Sequence, residues 1–116
     1  MLEELNSEAT EARVITTETF VWEGVTILVS YEPDWLGLGA KGVGTPYAHL
    51  EIQVLEPKGA PLPITDTGYK SEFCSVGEVE EAGGPIAIVT ALLEEFAETK
   101  TWRVRRARWE QQDLFG

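Results

Sequence analysis

The sequence is poor in the residues from which most catalytic and metal sites are built. Its 116 residues include one cysteine (Cys74), one histidine (His49) and one methionine. A single cysteine closes no disulfide within the chain and founds no cysteine-based metal site. Flanked by Phe73 and Val76, it reads as a small buried hydrophobe. A catalytic cysteine needs a base, and His49 is far away in sequence, so no cysteine–histidine pair is expected. Long apolar runs are also missing. The longest apolar-rich stretch, Pro85 to Leu93, falls far short of the about 20 residues of a membrane span. The chain opens Met1-Leu2-Glu3-Glu4, acidic where a secretory signal is basic, so the expectation is a cytoplasmic protein with no membrane partner.

Basic residues are scarce. Nine Lys and Arg face twenty Asp and Glu, for a formal net charge of −11. A field of that sign repels phosphates, so no direct nucleic acid binding is expected of the acidic body. The deficit is uneven. Residues 1–99 hold eighteen acids against Arg13, Lys41, Lys58 and Lys70, a net of −14. Residues 100–116 hold Lys100, Arg103, Arg105, Arg106 and Arg108 against Glu110 and Asp113, a net of +3. A basic strip on an acidic body either packs back onto that body or addresses an acidic partner.

What is present fits one small domain. Hydrophobic residues make up 43% and charged residues 25%, enough apolar side chain to offset chain entropy. Residues 1–12, acidic and polar, suit a short helix or a flexible segment. Val14 to Trp22 and Val25 to Tyr31 read as two strands joined by Glu23-Gly24 as a tight hairpin turn. Glu32 to Pro46 is loop chemistry, with glycines at 37, 39, 42 and 44. Their spacing fits neither of the common phosphate-cradling patterns. Trp35 in this loop is a candidate exposed contact.

Tyr47 to Glu56 alternates, with Ala48, Leu50, Ile52 and Val54 on one face and His49, Glu51 and Gln53 on the other. Ile64 to Cys74 reads as a more irregular extended region, bent at Asp66-Thr67-Gly68. Ser75-Val76-Gly77-Glu78 has the pattern of a capping box opening a short helix, Glu78 to Ala82. Gly84-Pro85 starts the main helix, whose buried face is Ile86, Val89, Leu92, Leu93 and Phe96. Thr101 to Arg105 alternates like a short strand returning to the sheet edge, although Arg106 to Gln112 equally suits a helix. The expected fold is α+β: an antiparallel sheet of three to five strands with one main helix packed on one face. Residues 13–109 form this single domain, and residues 110–116 form a C-terminal peptide tail.

The tail reads Gln111-Gln112-Asp113-Leu114-Phe115-Gly116. Leu114 and Phe115 are large apolar side chains beside charged and amide residues, and in a groove each is worth about 1.5–3 kcal/mol. Less the cost of ordering a flexible tail, this gives a modest affinity. The peptide resembles the short motif by which bacterial replication and repair proteins bind the DNA polymerase sliding clamp. Gln111, Asp113, Leu114 and Phe115 match their slots, while Gln112 departs from the usual apolar second position. The resemblance covers five residues. It implies a protein partner, with Leu114 and Phe115 filling a hydrophobic pocket and Gln111 setting the register. It also implies a use for the arginines, against the acidic outer surface of a clamp. Self-packing of the same pair on the domain is the structural alternative.

Separately, Ala48-His49-Leu50-Glu51-Ile52, Leu62 to Tyr69 and Gly83-Gly84-Pro85 together resemble a family of small bacterial proteins of plasmids and integrative elements. That likeness implies no activity.

The leading expectation is a non-enzymatic bacterial interaction protein, with no cofactor and no metal. A second is an acidic DNA mimic that inhibits a DNA-binding protein, using Glu78, Glu80, Glu81, Glu94, Glu95 and Glu98 as phosphate stand-ins. A third is a small enzyme using His49, Glu51, Asp34 or Asp66, for which no complete catalytic set is apparent.

Overall fold

A two-residue hairpin needs both turn residues at positive φ, and Glu23 (φ 46°) and Gly24 (φ 83°) supply it. They join β1 (Thr16–Trp22) to β2 (Val25–Glu32) in antiparallel register, Trp22 opposite Val25. The computed structural model describes residues 14–34 and 47–115, with side chains through Gln112. Residues 1–12 and Trp35 lie outside the described residues. β3 (Tyr47–Glu56) and β4 (Tyr69–Ser75) complete one antiparallel sheet in the order β1-β2-β3-β4. The register shifts at Thr26/Ile27, where Glu56 and Val54 are their partners and Leu55 is the extra residue of a bulge.

Alternation sorts the two faces. Trp22, Ile27, Val29, Leu50 and Ile52 point inward and are buried. The opposite face carries Thr17, Thr19, Ser30, His49, Glu51, Gln53, Tyr69, Ser71 and Phe73. The buried face carried by Ala48, Leu50 and Ile52 explains the strict hydrophobic–polar alternation of β3.

Three helices follow among the described residues. α1 (Val76–Ala82) is capped by Ser75, whose hydroxyl accepts from the Glu78 N–H at 3.1 Å. It ends at Gly83, whose left-handed φ of 106° turns the Gly83 and Gly84 N–H groups back to the carbonyls of Glu80 and Val79. α2 (Pro85–Ala97) starts on Pro85, which has no amide donor to leave unpaired. Its Val89 and Leu93 complete the core over the sheet. Phe96, expected on the buried face, is 43% exposed, because the core stripe of α2 is narrower than its apolar sequence pattern.

α3 (Lys100–Phe115) replaces the short strand expected at Thr101 to Arg105. The reason is local. The Thr99 hydroxyl accepts from the Trp102 N–H at 3.2 Å and donates to the Phe96 carbonyl at 2.8 Å. That is an N-cap, and it commits the next turn to helix. Trp102, Arg105, Arg106 and Trp109 then fall at i, i+3, i+4 and i+7 on the side facing the body, a period no strand provides. The Trp102/Val104 alternation is incidental: Trp102 is 5% exposed and Val104 is 48% exposed.

Leu93 is fully buried and Phe96 is not, although they are one helical turn apart. Leu93→Ala is expected to cost about 2–5 kcal/mol in urea unfolding. Phe96→Ala is expected to cost less than about 1.5 kcal/mol by the same measurement.

Candidate functional site

The C-terminal helix is fixed at its root. Trp102 packs on Trp22 with ring centroids 6.0 Å apart and planes at 51°. This tilted contact adds to the burial of both indoles. Arg105 Nη1 donates to the Leu62 carbonyl at 2.7 Å and, at 3.4 Å, to that of Pro63. Arg106 donates from Nη1 to Glu23 Oε1 at 2.6 Å and from Nε to Glu110 Oε1 at 3.0 Å. Between these anchors lies a cleft of about 150 Å³ walled by Trp22, Val25, Pro57, Pro61, Trp102 and Trp109.

On its other flank α3 borders an open hollow of about 500 Å³. Its walls are Lys100, Thr101, Val104, Arg105 and Arg108 from the helix and Asp66 from the β3–β4 connection. Three of these side chains are cationic and one is anionic. Beyond the hollow, Gln111 and Gln112 are exposed. The helical backbone continues through Phe115, while the side chains of Asp113, Leu114 and Phe115 lie outside the described residues.

Of the candidate proton-transfer residues, Asp66 stands apart from His49 and Glu51. His49 Nε2 is hydrogen-bonded to Ser71 Oγ at 2.5 Å, and its ring stacks on Phe73 with centroids 4.6 Å apart. Glu51 accepts from the Tyr69 hydroxyl at 2.8 Å. His49 and Glu51 are thus each tied across to β4 rather than to each other. Glu32, 5% exposed, stands opposite His49 in the register. Asp66 lies beside α3, away from this sheet face. Sequence reasoning missed the cross-strand partners Ser71 and Phe73, because pairing register is not visible in one strand's pattern. A serine–histidine hydrogen bond begins a nucleophilic site, but an acyl transfer also needs donors for the developing oxyanion and a pocket for the substrate. The cleft and the hollow beside α3 do not include this pair. Among the described residues no three His, Cys, Asp or Glu side chains gather to hold a metal ion, and no helix is long and apolar enough to cross a membrane.

Cys74 faces Ala48 across the sheet and is half-buried. Burial pushes its thiol above the ordinary range, and the carboxylates of Glu78 and Glu72 push the same way. Burial likewise raises the Tyr31 phenol, with Cys74 and Glu80 adding to it.

Taken together, the chain is a four-stranded antiparallel sheet with helices on one face, continued by a basic helix rooted on two tryptophans. The sequence model of one protein family, described as the KlcB third domain, matches residues 15–102. The chain therefore belongs to that family, which is plasmid-associated. The match starts at the residue before β1 and ends on Trp102, so most of α3 and all of Gln111 to Phe115 lie beyond it. No curated protein and no solved structure matches the chain.

The raised thiol and phenol values have one sign. Each group is held neutral in the folded state, so its contribution is fully present below its unfolded pKa and is lost as pH rises through the folded one. Melting temperature is expected to hold up to about pH 8.5 and to fall through the thiol and then the phenol range. At pH 7.5 an alkylating reagent is expected to label native Cys74 more slowly than the urea-unfolded chain.

Proposed function

We propose that this chain is a non-enzymatic interaction protein that docks on a bacterial DNA sliding clamp through Gln111, Asp113, Leu114 and Phe115. The observation that carries the reading is positional. The motif stands on the extension past Trp102, where the family match ends, and its first residues, Gln111 and Gln112, are exposed. A segment that follows the family's shared body suits a short docking peptide. By the 100° step of a helix, position 111 falls on the side away from Trp102 and Trp109. The two apolar residues supply the burial and Gln111 a rim hydrogen bond, which together give a modest affinity once the ordering cost is subtracted.

A second reading is an acidic DNA mimic. It is favoured by the exposure of Glu78, Glu80, Glu81, Glu94 and Glu95 on two consecutive helices and of Glu98 at the end of the second. Among the described residues none of the six is in an ion pair. It requires binding to a basic DNA-binding protein that fades with added salt.

In a calorimetric or surface-binding titration, the full chain is expected to bind a purified bacterial sliding clamp. Leu114→Ala with Phe115→Ala is expected to weaken the complex by at least about 100-fold, two apolar anchors being removed. Absence of binding by the parent chain at high micromolar concentration overturns the clamp reading.

A further inference from the structure

Five cations crowd the first nine residues of α3, and the structure divides them by use. Arg105 is engaged by the Leu62 and Pro63 carbonyls, and Arg106 by Glu23 and Glu110. These two hold the helix to the body. Lys100, Arg103 and Arg108 are exposed and form no ion pair among the described residues.

Lys100 and Arg108 share the 500 Å³ hollow with Val104, whose side chain is 48% exposed. Asp66 is the one carboxylate in that wall. The arrangement is unexpected in a chain of net charge −11, where exposed cations have abundant carboxylates to pair with. The hollow's helical wall of Thr101, Val104, Arg105 and Arg108 runs along one side of α3, and helical spacing continues that stripe to positions 111 and 112. The hollow and the first residues of the docking peptide are therefore successive parts of one surface.

We infer that this hollow is a second contact site for the partner bound by the C-terminal peptide, and that it receives a carboxylate-bearing segment of that partner protein. The inference rests on the clamp reading for the identity of the partner. Charge complementarity selects the ligand: Lys100 and Arg108 meet the acid, Arg105 adds field from its fixed position, and Val104 packs against the segment's apolar stem. The same hollow does not suit a nucleic acid strand, because the six exposed carboxylates of α1 and α2 stand on the same body and repel a polyanion longer than the hollow itself. Rim charges of this kind act on association rate and salt dependence more than on the lifetime of the complex.

The test uses the full chain and the purified clamp, titrated at about 0.05 M and about 0.5 M salt, between which screening changes strongly. Lys100→Glu with Arg108→Glu is expected to weaken binding about tenfold at low salt and much less at high salt. Asp66→Asn removes the opposing carboxylate and is expected to tighten binding at low salt. Arg106→Gln, which touches only the helix anchor, is expected to lower the melting temperature slightly and leave the salt dependence unchanged. Should the parent chain bind while the Lys100/Arg108 reversal changes neither affinity nor salt dependence, the hollow is not a contact site and the docking peptide acts alone. Parent binding that the reversal weakens equally at both salts, or that Asp66→Asn weakens, also overturns it. If the parent chain fails to bind, the clamp reading falls first and the hollow loses its partner with it.

Discussion

The contact between Trp22 and Trp102 is the constraint on which the rest of the arrangement turns. Trp22 closes β1 just before the Glu23-Gly24 turn, and Trp102 lies in the first turn of α3. Joining them brings the last helix against the end of the sheet where the hairpin, the β3–β4 connection and α3 meet. Burying two indoles there contributes several kcal/mol, more than any ion pair in the region. Only with that contact made does Arg106 reach Glu23 on the hairpin turn, and Arg105 reach the carbonyls of Leu62 and Pro63. The polar links set the azimuth of a helix that the aromatic pair has already placed. It is consistent that the family match ends on Trp102 itself: the shared body includes the residue that anchors the extension, and the extension's own sequence begins after it.

Charge is distributed to the same end. A body of net −14 carrying a helix of net +3 would be expected to draw that helix flat against itself. Instead, among the described residues two of the five cations are engaged with the body, one of them by neutral carbonyls. Exposed ion pairs are worth about a kcal/mol or less, so electrostatics alone does not decide where a helix lies. The apolar stripe of Trp102 and Trp109 decides it, and the cations off that stripe are left facing solvent. Segregated charge thus survives folding as a surface feature. On an otherwise acidic molecule it is the region where an acidic macromolecule approaches without repulsion.

Much of the sheet was legible because each strand carries its own evidence. The Glu23-Gly24 turn between alternating runs gave the hairpin, and the period of Ala48, Leu50 and Ile52 gave the buried face of β3. Ser75 and Pro85 announced the starts of α1 and α2 through cap chemistry. The failure at Thr101 to Arg105 has a clear source. Five residues fit period two, but the window from Trp102 to Trp109 fits 3.6, and Thr99 caps it. Phe96 was misplaced because an apolar residue at helical spacing says where a face is, not how far the neighbouring layer extends. Of the candidate site, the identity of the charged strip was readable. The split between Arg105 and Arg106 on one side and Lys100 and Arg108 on the other was not, since it depends on carbonyls and carboxylates more than forty residues away. The Ser71–His49 hydrogen bond was hidden for the same reason: it is set by register between strands.

The helical backbone through Phe115 bears on how such a tail can dock. Beyond Trp109 the helix has Glu110, Gln111 and Gln112 exposed. Two apolar side chains in a groove give about 3–6 kcal/mol of gross transfer energy, against the roughly 8 kcal/mol that corresponds to a micromolar complex. Gln112, where an apolar residue would add more, widens that gap. A five-residue peptide of this composition is therefore a weak ligand by itself. In the proposed docking, a helix rooted on Trp22 carries the basic hollow next to positions 111 and 112, so a second contact costs little further freedom. Under that proposal the departure at Gln112 and the exposed cations of α3 belong together, electrostatic attraction supplying what the short apolar motif lacks.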